Sequence, residues 1–194
     1  LVFSYPASRR ELQEMQQDVR ESLTAAEVYV RYCTSETEKA ALLFTYLAER
    51  FPYQQGDSRT PVYSALCQGV ANSKSMAQSW QLLCDEAGLS CRTVSGLRGG
   101  EAYWWNIVTL DGVSCHVDVL RDLLDGSTLQ LRYDEDMAGG YYWDAEDVPA
   151  CPAPAPEEEE PEAPTPTEDQ PASEDPAEDP AETPEAQPTE PETP

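Results

Sequence analysis

An α+β domain with its helices first and an antiparallel sheet after them is what this sequence predicts, on three observations. Apolar residues recur at helical spacing as far as Ala87-Gly88, the period then drops to two, and the composition changes abruptly at Cys151. Residues 1–151 are therefore assigned to one domain, N-terminal helices packed on an antiparallel sheet, which is an ordinary length for a single core. Residues 152–194 are assigned to a disordered Pro/Glu-rich tail. From Pro152 to Pro194 there are 13 prolines and 15 carboxylates, with no Lys, Arg, aromatic, Val, Ile or Leu. Such a segment has too little apolar surface to offset the entropy of ordering it, and its charges repel one another.

The elements follow in order. Ser8 to about Tyr32 reads as a helix, with Leu12, Met15, Val19 and Leu23 on one stripe at three- and four-residue spacing. Ser35-Glu36-Thr37-Glu38 is a capping box that opens a second helix. Ala40, Leu43, Tyr46 and Leu47 face inward there, and Phe51-Pro52 ends it. Gln54 to Pro61 is rich in turn formers and reads as a loop. Asn72 is the N-cap of a third helix, with Met76, Trp80 and Leu83 on its core stripe and Gly88 in the left-handed position after its end. Ser90–Ser95 and Tyr103–Leu110 then read as strands, and Asp111-Gly112 is a two-residue hairpin turn into a strand over Val113–Val119. Tyr133 to Ala150 is loop-rich. Its adjacent aromatics Tyr141, Tyr142 and Trp143 are expected to fold back as a lid over the sheet, because three such rings are rarely left in water.

Charge narrows the partners. The first 151 residues hold 22 acids against 12 bases, ten of the chain's 25 net negative charges. An acidic surface argues against nucleic acid and anionic membrane. No run of 18 apolar residues is present, so no spanning helix is expected. Cys33, Cys67, Cys84, Cys91, Cys115 and Cys151 match no zinc spacing, and His116 is the single histidine, so no metal or cofactor is expected. One to three disulfides in an oxidising compartment and buried reduced thiols are both consistent with six cysteines, and the sequence does not choose a pairing. The first residue is not Met, as if a signal or anchor had preceded Leu1. Secretion or a cell-surface location is the expectation.

Several stretches, taken in order, resemble secreted bacterial transglutaminase-like proteins of the papain-like kind. Val62-Tyr63-Ser64-Ala65-Leu66 precedes the helix Ser73-Lys74-Ser75-Met76-Ala77-Gln78-Ser79-Trp80-Gln81-Leu82-Leu83, which is similar to a family segment written C-x-G-Y-A-x-A-F-x-x-L-L. Tyr103-Trp104-Trp105-Asn106-Ile107-Val108 is similar to H-A-W-N-x-V, and His116-Val117-Asp118-Val119 to H-V-D-V. Asp134-Glu135-Asp136-Met137, Trp143-Asp144 and Pro149-Ala150-Cys151 continue the likeness to the end of the domain. The resemblance implies a papain-like fold and a catalytic Cys, His and Asp. Here those positions are occupied by Ser73, Tyr103 and Asp118, so only the last is kept.

The turn gives an independent check on that geometry. With Asp111-Gly112 as a two-residue loop, Leu110 pairs with Val113 and Trp105 falls opposite Asp118. Tyr103 is then a diagonal neighbour of Asp118 on the same face. The helix beginning at Ser73 would aim its positive end at that place. A frame for a triad is present, but its chemistry is not. A serine needs a proton acceptor titrating near neutrality, and a tyrosine with an ordinary pKa near ~10 is a donor at pH 7.

The function expected is thus a non-catalytic transglutaminase-like domain that binds a peptide, a protein or a cell-wall component in a vestigial cleft, with Trp104, Trp105 and His116 as binding residues. The alternative is an active cysteine- or serine-type hydrolase or acyl transferase using Ser73 or Cys67 with His116. His116 shares a strand face with Asp118 in this reading, and Cys67 lies six residues ahead of the helix start and so misses its dipole. Lys74 neighbours Ser73 in sequence but points about 100° away from it. A spacer without any ligand is the third option, and the oligomeric state is left open.

Overall fold

The computed structural model describes residues 7–154. The tail expected over 152–194 therefore lies, from residue 155 onward, outside the described residues.

Helix α1 spans Arg9–Val30 and opens on a full capping box between Ser8 and Glu11. Ser22, Ala26 and Val30 are its buried residues, while the expected stripe of Leu12, Met15, Val19 and Leu23 is half-buried along its flank. Helix α2, Glu36–Arg50, buries Ala40, Leu43, Phe44, Tyr46 and Leu47. Ser35 accepts from the Glu38 N–H as expected. The Glu38 carboxylate, however, takes the Thr34 N–H, so the box is displaced by one residue.

The stretch read as a loop contains more. Gln54–Gln55 (β1) pairs in parallel with Val70–Ala71 (β2), and between them Pro61–Cys67 forms a short helix, α3, with Pro61 in its first turn. Helix α4, Ser73–Glu86, starts on Asn72 as expected, with Asn72 Oδ1 accepting from the Ser75 N–H at 2.8 Å. Met76, Trp80 and Leu83 are buried, and Gly88 after its end has φ +74°.

Strands β3 (Ser90–Arg98), β4 (Glu101–Leu110) and β5 (Val113–Val117) form an antiparallel meander, and Tyr141–Tyr142 (β6) adds to the free edge of β3, giving the order β5-β4-β3-β6. Asp111 and Gly112 both have positive φ, as a two-residue hairpin turn requires, and Leu110 pairs with Val113. The Asp111 carboxylate also caps α2, taking the N–H groups of Glu36 and Thr37 at 3.0 and 3.1 Å. The hairpin tip is thereby fixed to the helical layer. The domain is α+β, helices on an antiparallel sheet.

The last strand departs from expectation. The ladder stops at Asn106–Val117, and Asp118 leaves it to become the N-cap of α5, Val119–Asp125, closed by Gly126 in the left-handed conformation. Val119 is thus helical, since an Asp followed by apolar residues at helical spacing favours capping over pairing.

The sheet has two unlike faces. One carries Val108, Leu110, Cys115 and Val117 into the main core shared with α1, α2, α3 and α4. The other carries Val94, Trp105 and Ile107 into a smaller core completed by Met137, Tyr141 and Cys151 of the returning chain. The aromatic lid is therefore only partly as expected. Tyr141 is buried and Trp143 half-buried, but Tyr142, the next residue along the strand, is exposed. Gly96 is required for this closure: a Cβ there would collide with the Tyr142 carbonyl and come within 2.8 Å of the Trp105 ring.

Candidate functional site

The α4 N-terminus and the turn that joins β3 to β4 line a cleft of about 630 Å³. Ser73, Lys74, Arg98, Tyr103 and Trp104 line it, with Asp57, Glu101, Gln55 and Asn72 around them. Three elements place these side chains. Asn72 caps α4, so Ser73 is its first residue at the mouth. The Asp111-Gly112 turn fixes the register that brings residue 103 to the end of β4, and the same register lets Asp118 meet it.

Asp118 is buried and fully engaged. Its Oδ1 accepts from the Tyr103 hydroxyl at 3.1 Å and from the Arg121 N–H at 3.2 Å, and its Oδ2 accepts from the Tyr141 hydroxyl at 2.7 Å. The Arg98 guanidinium lies 3.8 Å from Oδ2, donates to the Tyr103 oxygen at 3.2 Å, and covers the rings of Tyr103 and Tyr141. Both tyrosines are held in their protonated state. Burial, and then the Asp118 carboxylate, push Tyr103 well above the ordinary phenol range, and the same causes push Tyr141 up to about 12. The arrangement is a carboxylate receiving two phenols beside a cation. Its two oxygens accept three hydrogen bonds, and a phenol so raised in pKa stays protonated and takes no proton from a neighbour at neutral pH.

Ser73 is half-buried in the same cleft, and a tight space beside it is lined by Asp118, Asn106 and Trp104. Ser73 and Tyr103 thus line one cleft, Ser73 and Asp118 line the space beside it, and Tyr103 is bonded to Asp118. Among the described residues no hydrogen bond joins the Ser73 hydroxyl to either partner. Lys74 lines the same cleft, its ammonium 5.4 Å over the Trp104 ring.

The other sequence-derived candidates lie elsewhere. Trp105 and His116 were expected in the cleft and are instead buried on the far face of the sheet. The cause is alternation: Trp104 faces α4, so Trp105 faces away together with Tyr103, which packs against the smaller core and meets the cleft only at the end of β4, and His116 pairs with Ile107 on that same far face. The indole N–H of Trp105 donates to His116 Nδ1 at 2.9 Å. Because indole can only donate, Nδ1 must carry the lone pair. Nε2 then carries the proton and gives it to Asp134 Oδ1 at 2.9 Å. Burial lowers the His116 pKa, with Asp134 opposing in part, so the ring is neutral. Cys67 sits between α1 and α3 in a separate hollow with Asp18, Arg50 and Tyr63, and burial raises its thiol pKa.

His116, Asp134 and Cys151 bring one ligand-type atom each to within 4.8 Å of one another, a grouping whose sequence separation hid it. The donor set does not fit a cation. The Trp105 N–H commits the imidazole lone pair to Nδ1, so Nε2 offers a proton and no ligand orbital, and burial pushes the Cys151 thiol up to about 12. The trio instead closes the domain. Asp134 Oδ2 accepts from the Cys151 N–H, and the Asp134 N–H returns to the Cys151 carbonyl, both at 2.8 Å.

Two participants escaped the sequence reading. Arg98 lies beyond the strand expected to end at Ser95, and Tyr141 was read as a lid ring with no role for its hydroxyl. Neither carries a local signal, because their meeting point with Asp118 exists only once β6 pairs with β3.

Comparison with known proteins agrees with this geometry. Residues 24–119 match the model of the transglutaminase-like superfamily, a stretch that includes Ser73, Tyr103 and Asp118. No curated protein matches. A transglutaminase structure is similar at TM-score 0.46 and 12% identity, over 61% of this chain and 34% of that one. A candidate cysteine protease from Cytophaga hutchinsonii is similar at 0.45 and 12%, over 64% and 46%. A candidate protease from Parabacteroides distasonis is similar at 0.42 and 14%, over 58% and 26%. This chain thus spans less than half the length of each of the three, and likenesses so distant carry no argument about activity. The family match places a transglutaminase-like superfamily domain over residues 24–119.

Proposed function

We propose that this domain is a non-catalytic binding module, and that its cleft holds a peptide or a cell-wall component at the cell surface. The observation that carries the proposal is the engagement of Asp118. Both of its oxygens accept from tyrosine hydroxyls, with Arg98 beside them, so Asp118 orients two phenols in place of the base that would take the Ser73 proton. The one histidine of the chain, His116, is neutral, buried and committed to Trp105 and Asp134. What the cleft retains is recognition chemistry: the Trp104 face, charges of both signs in Lys74, Arg98, Asp57 and Glu101, and the amides of Gln55 and Asn72. That mixture suits a ligand with both ammonium and carboxylate groups, as peptides and cell-wall stem peptides have.

The test is a titration of the full chain with a synthetic peptide library and with soluble cell-wall peptides, followed through the amide resonances of residues 72–74 and 98–104. Saturable shifts confined to those residues, with affinity reduced at least tenfold in Trp104→Ala, are the expected result. Shifts in none of them across the library would overturn the reading.

A further inference from the structure

Six cysteines leave every pairing open in the sequence, but the register between α4 and β3 singles out one. The Thr93 N–H and hydroxyl both reach Gln81 Oε1, at 3.1 and 2.9 Å, and the Asn106 amide reaches the Ala77 carbonyl from the neighbouring strand. Strand β3 therefore runs back along α4 with Thr93 turned toward the helix. Two residues earlier, and so on that same side, stands Cys91. Two strand residues rise roughly 6.7 Å, about four residues of helix at 1.5 Å each. Stepping that far along α4 from Gln81 toward its C-terminus reaches the turn that carries Cys84.

Both residues belong to the main core, Cys84 buried within it and Cys91 half-buried against it. Both are free thiols, and Cys91 is near enough to bear on the ionisation of Cys84. The turn between them is fixed, with the Leu89 N–H bonded to the Cys84 carbonyl at 2.8 Å. The other four are differently placed. Cys115 donates to the Val108 carbonyl, Cys151 donates to the Pro149 carbonyl, Cys67 faces its own hollow, and Cys33 follows the end of α1.

We propose that Cys84 and Cys91 are a redox pair that closes to an intramolecular disulfide when the protein meets a disulfide oxidant, small-molecule or protein. The more accessible Cys91 thiolate attacks one sulfur of the oxidant, forming a mixed disulfide and releasing the first reduced thiol. The Cys84 thiolate then attacks Cys91 Sγ, forming the Cys84–Cys91 bond and expelling the second. Two electrons and two protons pass from the pair to the oxidant, which leaves as two thiols. Cys84 is buried and Cys91 half-buried, so Cys91 is the attacking thiol and Cys84 the resolving one. The bond would tie the C-terminal end of α4 to the start of β3, at the ends of both elements away from the cleft. The inference stands on core geometry and does not depend on what the cleft binds.

The experiment uses the full chain, folded and reduced, then incubated with oxidised glutathione. It is denatured, alkylated and digested for mass spectrometry, with thermal melts run in parallel. The expected product is a Cys84–Cys91 linkage with four alkylated cysteines rather than six. The oxidised form should melt roughly 5–10 °C higher than the reduced form, and Cys91→Ser should abolish that difference. Six alkylated thiols, glutathione retained on Cys91, a linkage to any other cysteine, or a redox-dependent shift that survives Cys91→Ser would each overturn the proposal.

Discussion

Trp80 and Trp105 are the two largest fully buried side chains, and they sit on opposite sides of the sheet. Trp80, on α4, packs in the main core with an indole N–H that has no partner among the described residues. Trp105, on β4, packs in the smaller core and gives its N–H to His116. On the helical side Trp80 itself is held by apolar contact, although the Asn106 amide donates to the Ala77 carbonyl close by. The other side is an aromatic cluster threaded by hydrogen bonds that run through His116 and Asp134 to Cys151 and, separately, through Tyr141 and Tyr103 to Asp118. The contrast shows where this domain spends its polar side chains: they anchor the returning chain against the sheet and occupy the carboxylate that a catalytic site would need free.

Truncation is expected to have the largest effect and to treat the two sides alike. Trp80→Ala and Trp105→Ala should each lower stability by about 3–5 kcal/mol in urea denaturation, as removal of a buried indole generally does. A cost near zero for Trp105 would mean that the smaller core contributes nothing.

Asp118→Asn comes next. It keeps the shape of the side chain but removes the charge that receives two phenols beside Arg98, and should cost about 1.5–3 kcal/mol in the same assay. No loss would mean that the carboxylate is not the structural centre of its cluster.

The sharper comparison is Trp→Phe, which keeps most of the packing. Trp105→Phe leaves His116 Nδ1 without its donor, whereas Trp80→Phe removes an N–H that already lacks an acceptor. The Trp105 variant should therefore be the less stable of the two by about 1–2 kcal/mol. Equal costs would break the distinction between the two sides.

The smallest effect concerns pH. Folding lowers the His116 pKa through burial, so below about 6.5 the unfolded chain binds a proton that the folded chain resists. Stability contributed by the neutral ring is full above that value and is lost as pH falls toward the folded-state pKa. His116→Gln should flatten this part of the stability profile between pH 7 and 5, measured by urea midpoints. An unchanged slope would remove His116 as its source.

How much of this was legible in the sequence depended on the range of each signal. Caps and turns act within four residues, so Ser35, Asn72 and Asp111-Gly112 placed α2, α4 and the hairpin, and the hairpin register alone brought Tyr103 to Asp118. Helix α3 is under two turns long and has too few residues to display a period; Pro61 was its one sign. The end of β5 was misplaced because His116-Val117-Asp118-Val119 alternates like a strand, while the capping role of Asp118 shows only in the apolar spacing that follows. His116 was put in the cleft by its presumed face. Its true partners, Asp134 and Cys151, lie in a return segment with no regular period, so nothing local announced them. The tail's composition was plain, and it lies from residue 155 onward outside the described residues.

The most direct measurement is labelling of the native chain by an electrophilic acyl or fluorophosphonate probe, read by intact mass. Ser73→Ala is compared alongside, and a Ser73→Cys/Tyr103→His double variant treated with iodoacetamide serves as the positive control for an intact cleft. Rapid alkylation of the double variant with no acylation of the native chain is the predicted result, because position 73 then has a base only when one is supplied. Stoichiometric acylation of the native chain that disappears in Ser73→Ala would contradict it.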